Sequence, residues 1–224
     1  MTSKTISEDI AAVSLLDEPV RQRLYEWAVA QGRPVGREEA AVALAIGRAL
    51  ATFHLDRLAA GGLIEAGYKR LTGKRGPGAG RPARVYWRAE REFTISLPER
   101  RYERMAHLFA TALERGAPLA DVANAAGQRL AAETPGAGRG PLLTVLNQNG
   151  YEPVTDPDGT IRLRNCPFDA LAQEHRSLVC GANLSMAQGI SEGVGVGADL
   201  TPVLDPQPGY CCVAFKRDLT TRAA

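Results

Sequence analysis

The sequence predicts an α+β protein in three parts: an amino-terminal winged helix-turn-helix, a helical dimerisation linker, and a small carboxy-terminal α+β domain that bears cysteines. Three observations carry this. Two short helical patterns are followed by two strand patterns that flank a basic, glycine-rich tip from Leu71 to Pro82. Two further helical patterns fill Glu99 to Ala132. All four cysteines, Cys166, Cys180, Cys211 and Cys212, then fall among mixed strand and helix patterns near the carboxy-terminal end. The expected divisions are residues 1–90, 91–134 and 135–224.

In the first part, Leu16, Val20, Leu24, Trp27 and Ala28 recur at helical spacing until Gly32 and Pro34, which predicts a helix over Ser14 to Gln31. A second helix is expected over Arg37 to Ala45, a tight turn at Ile46-Gly47, and a third helix over Arg48 to Ala60. Ala51, Leu55 and Leu58 should face inward, leaving Arg48, Ala49, Thr52, Phe53 and Arg57 outward. Leu63 to Arg70 and Ala83 to Arg88 read as the two strands of the wing. Residues 1–90 hold 14 Lys and Arg against 10 Asp and Glu, although the whole chain is only +2. Gly67 to Arg88 contains seven basic residues and no acidic one, the local positive field that a phosphate-binding surface requires.

In the second part, Tyr102, Met105, Leu108, Phe109 and Leu113 form one stripe of a helix over Glu99 to Arg115, and an alanine-rich helix over Leu119 to Ala132 follows. Their apolar faces exceed what the winged domain needs, so they are expected to form a homodimer interface, with packing only within the monomer as the alternative. Thr134 to Pro141, rich in Gly and Pro, is expected to be a domain boundary.

The third part should open with a helix over Leu142 to Asn149. A hairpin should follow, with strands Tyr151 to Thr155 and Thr160 to Arg164 joined by Asp156-Pro157-Asp158-Gly159. Helices over Pro167 to Glu174 and Ser177 to Gly189 come next, then strands near Asp199 to Leu204 and Tyr210 to Lys216. Cys211 and Cys212 on a strand should point to opposite faces. A disulfide between them is disfavoured, because adjacent Cα atoms lie about 3.8 Å apart, under the usual minimum of about 4.4 Å.

Hydrophobic content of 45% and charged content of 23% suit a globular protein, and no apolar run approaches the roughly 20 residues that span a membrane. Met1-Thr2-Ser3-Lys4 leads into Glu8 and Asp9 rather than an apolar segment, so a cytoplasmic protein without membrane association is expected. In that compartment, clustered thiols point to metal or redox chemistry more than to structural disulfides. Close cysteine pairs typical of zinc sites are missing, and thiols spread over several elements suit a larger cluster better. A Cys166–His175 catalytic pair lacks an orienting acid and an oxyanion hole, so no enzyme and no catalytic residue is expected.

Two resemblances sharpen these expectations. The phrase Thr52-Phe53-His54-Leu55-Asp56-Arg57-Leu58, ending in Gly61-Gly62-Leu63, resembles the recognition helix of winged-helix regulators of the ArsR/MarR type. The resemblance implies double-stranded DNA as partner, with Arg48 and Thr52 near base edges, Arg57 near phosphate, and paired half-sites about 34 Å apart. Lys74, Arg75 and Arg81 of the tip would enter a minor groove, and Gly80-Arg81-Pro82 is similar to the core of AT-hook peptides. His54 is expected to be structural.

The run Gly150-Tyr151-Glu152-Pro153 through Asn165-Cys166-Pro167-Phe168-Asp169-Ala170-Leu171-Ala172, with His175, Val179-Cys180 and Cys211-Cys212, resembles the SufR group of iron-sulfur-responsive repressors. That resemblance implies a [4Fe-4S] cluster on Cys166, Cys180 and one of Cys211 or Cys212. The other vicinal cysteine, His175 or an exogenous molecule would be the fourth ligand. Cluster status would then set DNA affinity. A winged-helix regulator answering to a small molecule or to thiol oxidation is the alternative.

Overall fold

The structure is a computed structural model that describes residues 6–69 and 82–217. It is a mixed α+β protein that divides into two compact units, Met1–Ile95 and Ser96–Ala224. The tip residues Lys74, Arg75 and Arg81 lie outside the described residues. Among the described residues, no helix is long and apolar enough to cross a membrane.

The first unit begins with helix α1 (Ile6–Val13) and a 3₁₀ turn (Ser14–Asp17), followed by α2 (Pro19–Ala30). The single helix expected over Ser14 to Gln31 is therefore broken at Glu18. A residue before proline is pushed to extended backbone, and Glu18 adopts it with φ −83° and ψ 121°. Its carboxylate then caps α2 by accepting from the N–H groups of Val20 (3.1 Å) and Arg21 (2.8 Å).

Helix α3 (Arg37–Leu44) ends at Ala45 in the left-handed conformation, φ 54°, with Ile46 N donating to Ala41 O at 3.0 Å. Gly47 opens α4 (Arg48–Ala60). The chain then forms β2 (Ile64–Lys69) and β3 (Ala83–Arg88), paired antiparallel from Ile64↔Arg88 to Lys69↔Ala83. A two-residue strand β1 (Val35–Gly36), too short to show a periodicity, adds to the other edge of β3 and gives the order β1-β3-β2. Leu24, Ala40, Leu44, Leu55, Leu58, Leu63, Ile64 and Tyr86 make the core of this unit.

The second unit contains α5 (Tyr102–Arg115), α6 (Leu119–Ala132), α7 (Arg139–Gln148), β4 (Pro153–Thr155), β5 (Ile161–Leu163), α8 (Asp169–Glu174), α9 (Arg176–Gly193), β6 (Leu200–Leu204) and β7 (Val213–Arg217). The four strands form one antiparallel sheet in the order β4-β5-β7-β6. Helices α5 and α6, expected as a dimerisation segment over 91–134, share this unit's core: Met105, Leu108, Ala123, Ala126 and Ala131 pack with Leu142, Phe168, Met186 and Phe215. The glycine-rich stretch after Thr134 is likewise built in, since Gly138 N donates to Val194 O at 2.7 Å. The chain divides at Ile95 instead.

Helix α9 touches α6, α7, α8, β6 and β7, and its closest neighbour is α6. Small residues make that approach possible. A Cβ added at Gly127 would lie 2.0 Å from Met186 O, and one at Gly189 would lie 2.0 Å from Asn124 O. Backbone against backbone leaves no side chain to yield. Gly189→Ala is expected to cost about 1–3 kcal/mol or more by overpacking. Gly181→Ala, on the same helix with nothing within 4 Å, should stabilise by about 0.4–1 kcal/mol. Urea unfolding of both variants beside the parent protein measures the contrast.

Candidate functional site

Three separate parts of the second unit bring the cysteines together. Cys166 follows β5 and precedes α8, Cys180 stands in the second turn of α9, and Cys211-Cys212 directly precede β7. The last pair is not on a strand as expected. Cys211 N donates to Leu163 O (2.8 Å) and Asp205 N donates to Cys212 O (2.7 Å), so these bonds seat a bend that lets both thiols serve one site. Cys180 and Cys211 are buried, whereas Cys166 and Cys212 keep partial access to solvent; all four are free thiols.

The thiols pair across elements. Cys211 and Cys166 shift each other's proton equilibrium, and Cys212 shifts that of Cys180. The Cys211 thiol holds the Cys166 pKa below the usual thiol range against the opposing effect of burial, with help from the Phe168 backbone and the Arg100 charge. Cys166, with burial, drives Cys211 well above that range. Burial first, then Cys212, pushes Cys180 up to about 12. Cys166 also raises Cys180 through its charge, and Cys212 does the same to Cys211, so the four sulfurs form one electrostatic unit.

Asn165 fixes the Cys166 corner. Its Nδ2 donates to Glu99 O (2.9 Å) and Gly150 O (2.6 Å), while its Oδ1 accepts from Arg100 Nη1. Arg100 Nη1 also donates to Cys166 O at 3.0 Å. On the inner side, the Tyr151 hydroxyl donates to Asn183 Oδ1 (2.6 Å), and Asn183 Nδ2 donates to Cys211 Sγ (3.4 Å). The sequence reading assigned no role to Asn165, Arg100, Tyr151 or Asn183. Asn183 had a legible signal: a poor helix former three residues after Cys180, among apolar neighbours. His175, a candidate fourth ligand, is exposed where α8 ends, and no histidine is among the groups that shift the cysteine pKa values.

Among the described residues, no group of three or more His, Cys, Asp or Glu is gathered for a metal ion as the side chains stand. The donor set nevertheless suits an iron-sulfur cluster in its chemistry: four thiols from three elements, set in an apolar core, with an N–H donor aimed at one sulfur.

In the first unit, α4 buries Ala51, Leu55 and Leu58 and leaves Arg48, Ala49, Phe53 and Arg57 exposed, with Thr52 half-buried. Thr52 Oγ1 donates to Arg48 O (2.8 Å), and Arg48 Nε pairs with Glu38 Oε1 (3.2 Å). Phe53 is 56% exposed, a large aromatic side chain on the outward face that also carries Arg48, Ala49 and Arg57. His54 is buried with its Nδ1 3.4 Å from Glu18 Oε2, and it packs edge-on to Phe53.

Comparison of the chain with protein-family models, with curated proteins and with solved structures returns no match.

Thiolate fraction and access both favour Cys166 as the nucleophile of the metal-free protein. Iodoacetamide should label Cys166 before Cys180 and Cys211, at a rate that rises with pH and levels off below the ordinary thiol pKa. Peptide mass mapping of a pH series reads the order.

Proposed function

We propose that this chain is a DNA-binding transcriptional regulator, acting as a homodimer, whose second unit carries a [4Fe-4S] cluster on Cys166, Cys180, Cys211 and Cys212 and so senses iron-sulfur or redox status. The observation that carries the reading is that four thiols, remote in sequence, come from three elements into one apolar core, close enough to act on one another electrostatically. The resemblance to the SufR group rests on the same residues. When bound, the cluster would supply one-electron redox chemistry and sensitivity to oxygen. The chain's own residues do the rest. Asn165 and Arg100 hold the Cys166 corner, α9 holds Cys180, and the bond from Cys211 N to Leu163 O holds the vicinal pair. Occupancy can alter DNA affinity only by as much as it favours one conformation over another.

The first unit is proposed as a winged helix-turn-helix. Support comes from the order α3, turn, α4, then a two-stranded hairpin on either side of a basic segment. Arg48, Ala49, Thr52, Phe53 and Arg57 would meet the major groove, and Lys74, Arg75 and Arg81 the backbone or minor groove. Arg48 must exchange Glu38 for DNA, a small cost because an exposed pair is worth about 0–1 kcal/mol. With α5 and α6 part of the core, the outer face of α5, where Leu113 is 83% exposed, is the remaining apolar candidate for the dimer contact.

One observation favours thiol oxidation as a second reading: Cys166 and Cys211, and Cys180 and Cys212, are near enough for one thiol to shift the pKa of the other. A peroxide could oxidise a pair to a disulfide, taking two electrons and two protons and leaving as water. Iron and sulfide content separates the two readings. Protein purified without air should be brown, contain both elements, and change its DNA affinity when air removes them. Colourless, iron-free protein that still answers to peroxide would establish the second reading.

The wing is tested by salt. Replacing Lys74, Arg75 and Arg81 with alanine should flatten the plot of log affinity against log salt by roughly 0.9 for each phosphate that is no longer neutralised. Arg48→Ala should instead relax sequence preference, costing about 1–3 kcal/mol on the specific site and little on random DNA. Fluorescence anisotropy over a salt series reads both.

A further inference from the structure

Asn183 is only 2% exposed and sits on α9 one turn beyond Cys180. A carboxamide buried so deeply in an apolar core must have partners, and it has one on each side: the Tyr151 hydroxyl and Cys211 Sγ. Tyr151 is itself 2% exposed, so the chain from phenol to carboxamide to sulfur is shielded from water along its length.

The chemistry of the end group sets the direction of this chain. While Cys211 keeps its proton, the carboxamide could stand either way round, because thiol and phenol can each donate or accept. A cysteine that ligates a metal has lost its proton and can only accept. The Nδ2 must then face the sulfur, Oδ1 must face the tyrosine, and the phenol must donate. The structure already holds this arrangement.

We infer that Asn183, locked by Tyr151, is a positioning residue that donates a hydrogen bond to the Cys211 thiolate and raises the reduction potential of the group ligated there. This rests on the iron-sulfur reading above. Reduction adds negative charge to the sulfurs, and an N–H dipole pointing at one of them stabilises the reduced state more than the oxidised one. Without the donor, the oxidised state is favoured and the site is harder to reduce.

The test uses the full chain, reconstituted without air from ferrous iron and inorganic sulfide, with the midpoint potential followed by visible absorption. Asn183→Leu keeps the bulk and removes the donor; Tyr151→Phe frees the carboxamide to turn. Both should take up iron and sulfide as the parent does and titrate at more negative potentials, Asn183→Leu by the larger shift. Ser191→Ala removes a different buried bond of α9, to Leu200 O at 3.0 Å, and should titrate with the parent. Parent-like potentials in Asn183→Leu and Tyr151→Phe, or an equal shift in Ser191→Ala, would overturn the inference. A shift in Asn183→Leu alone would overturn the part given to Tyr151. If Asn183→Leu does not fold, the sign of the Tyr151→Phe shift decides. Parent protein that takes up no iron overturns the cluster reading itself, a failure seen before any variant is compared.

Discussion

The close crossing of α6 and α9 is the constraint on which the second unit depends. With glycine at 127 and 189, the two helices meet backbone to backbone, where even a methyl group would stand 2.0 Å from a carbonyl oxygen. Nothing flexible lies in that crossing, so α9 has little freedom to slide or rotate. Cys180 and Asn183 occupy the same helix and inherit its fixed position, and the Ser191 bond to Leu200 O ties the helix to β6. The other sulfurs are brought to α9 rather than the reverse.

How they are brought differs by cysteine. Cys166 is placed by hydrogen bonds: Asn165 joins Glu99, Gly150 and Arg100 around a corner with no regular structure of its own. Arg101 N, donating to Pro167 O at 2.9 Å, adds a second tie from the start of α5. Cys211 and Cys212 are placed by the sheet, through the bond to Leu163 O and the pairing of Leu204 with Val213 that closes the β6–β7 hairpin. A rigid helix, a polar corner and a hairpin loop thus supply sulfurs to one place, and each is held by a different kind of interaction. A group bridging all three would add a cross-link among elements that backbone bonding leaves separate, the situation in which ligand binding contributes most to folding stability.

How far the sequence foretold this varies with the range of the forces involved. Elements set by local periodicity were readable: α4 with Ala51, Leu55 and Leu58 inward, the β2–β3 hairpin, and the turn at Asp156 to Gly159. Local chemistry that cut across periodicity was missed, as at Glu18, where Pro19 breaks a continuous apolar stripe and the carboxylate caps a new helix. Long-range packing was missed for a different reason. The stripe of α5 and the alanines of α6 look the same whether they face a second copy or their own chain, and the match of Gly127 in α6 with Gly189 in α9, far along the sequence, is what turns α6 inward. At the site, the four cysteines were legible as residue types because few other side chains do what a thiol does. Tyr151 and Asn165 were not, because tyrosine and asparagine are common and their value here comes from partners up to 66 residues away, and Asn183 carried only the signal of a poor helix former in an apolar run.

The site has two layers, and the layers differ in chemistry as well as depth. Cys166 and Cys212 reach solvent; Cys180 and Cys211 are buried to 5% and 3% exposure, and both have raised pKa values. Anything arriving from solvent therefore meets Cys166, whose pKa is lowered, and Cys212 before it meets the buried pair. The inner pair can bind a metal only by giving up protons that burial and the neighbouring thiols retain, so occupancy is coupled to proton release. Asn183 matters most at that point. When Cys211 gives up its proton, the Asn183 N–H stands as a donor for the new negative charge on a sulfur that is only 3% exposed. A buried thiolate without such a donor would be costly to form, and the chain from Tyr151 through Asn183 supplies one in advance.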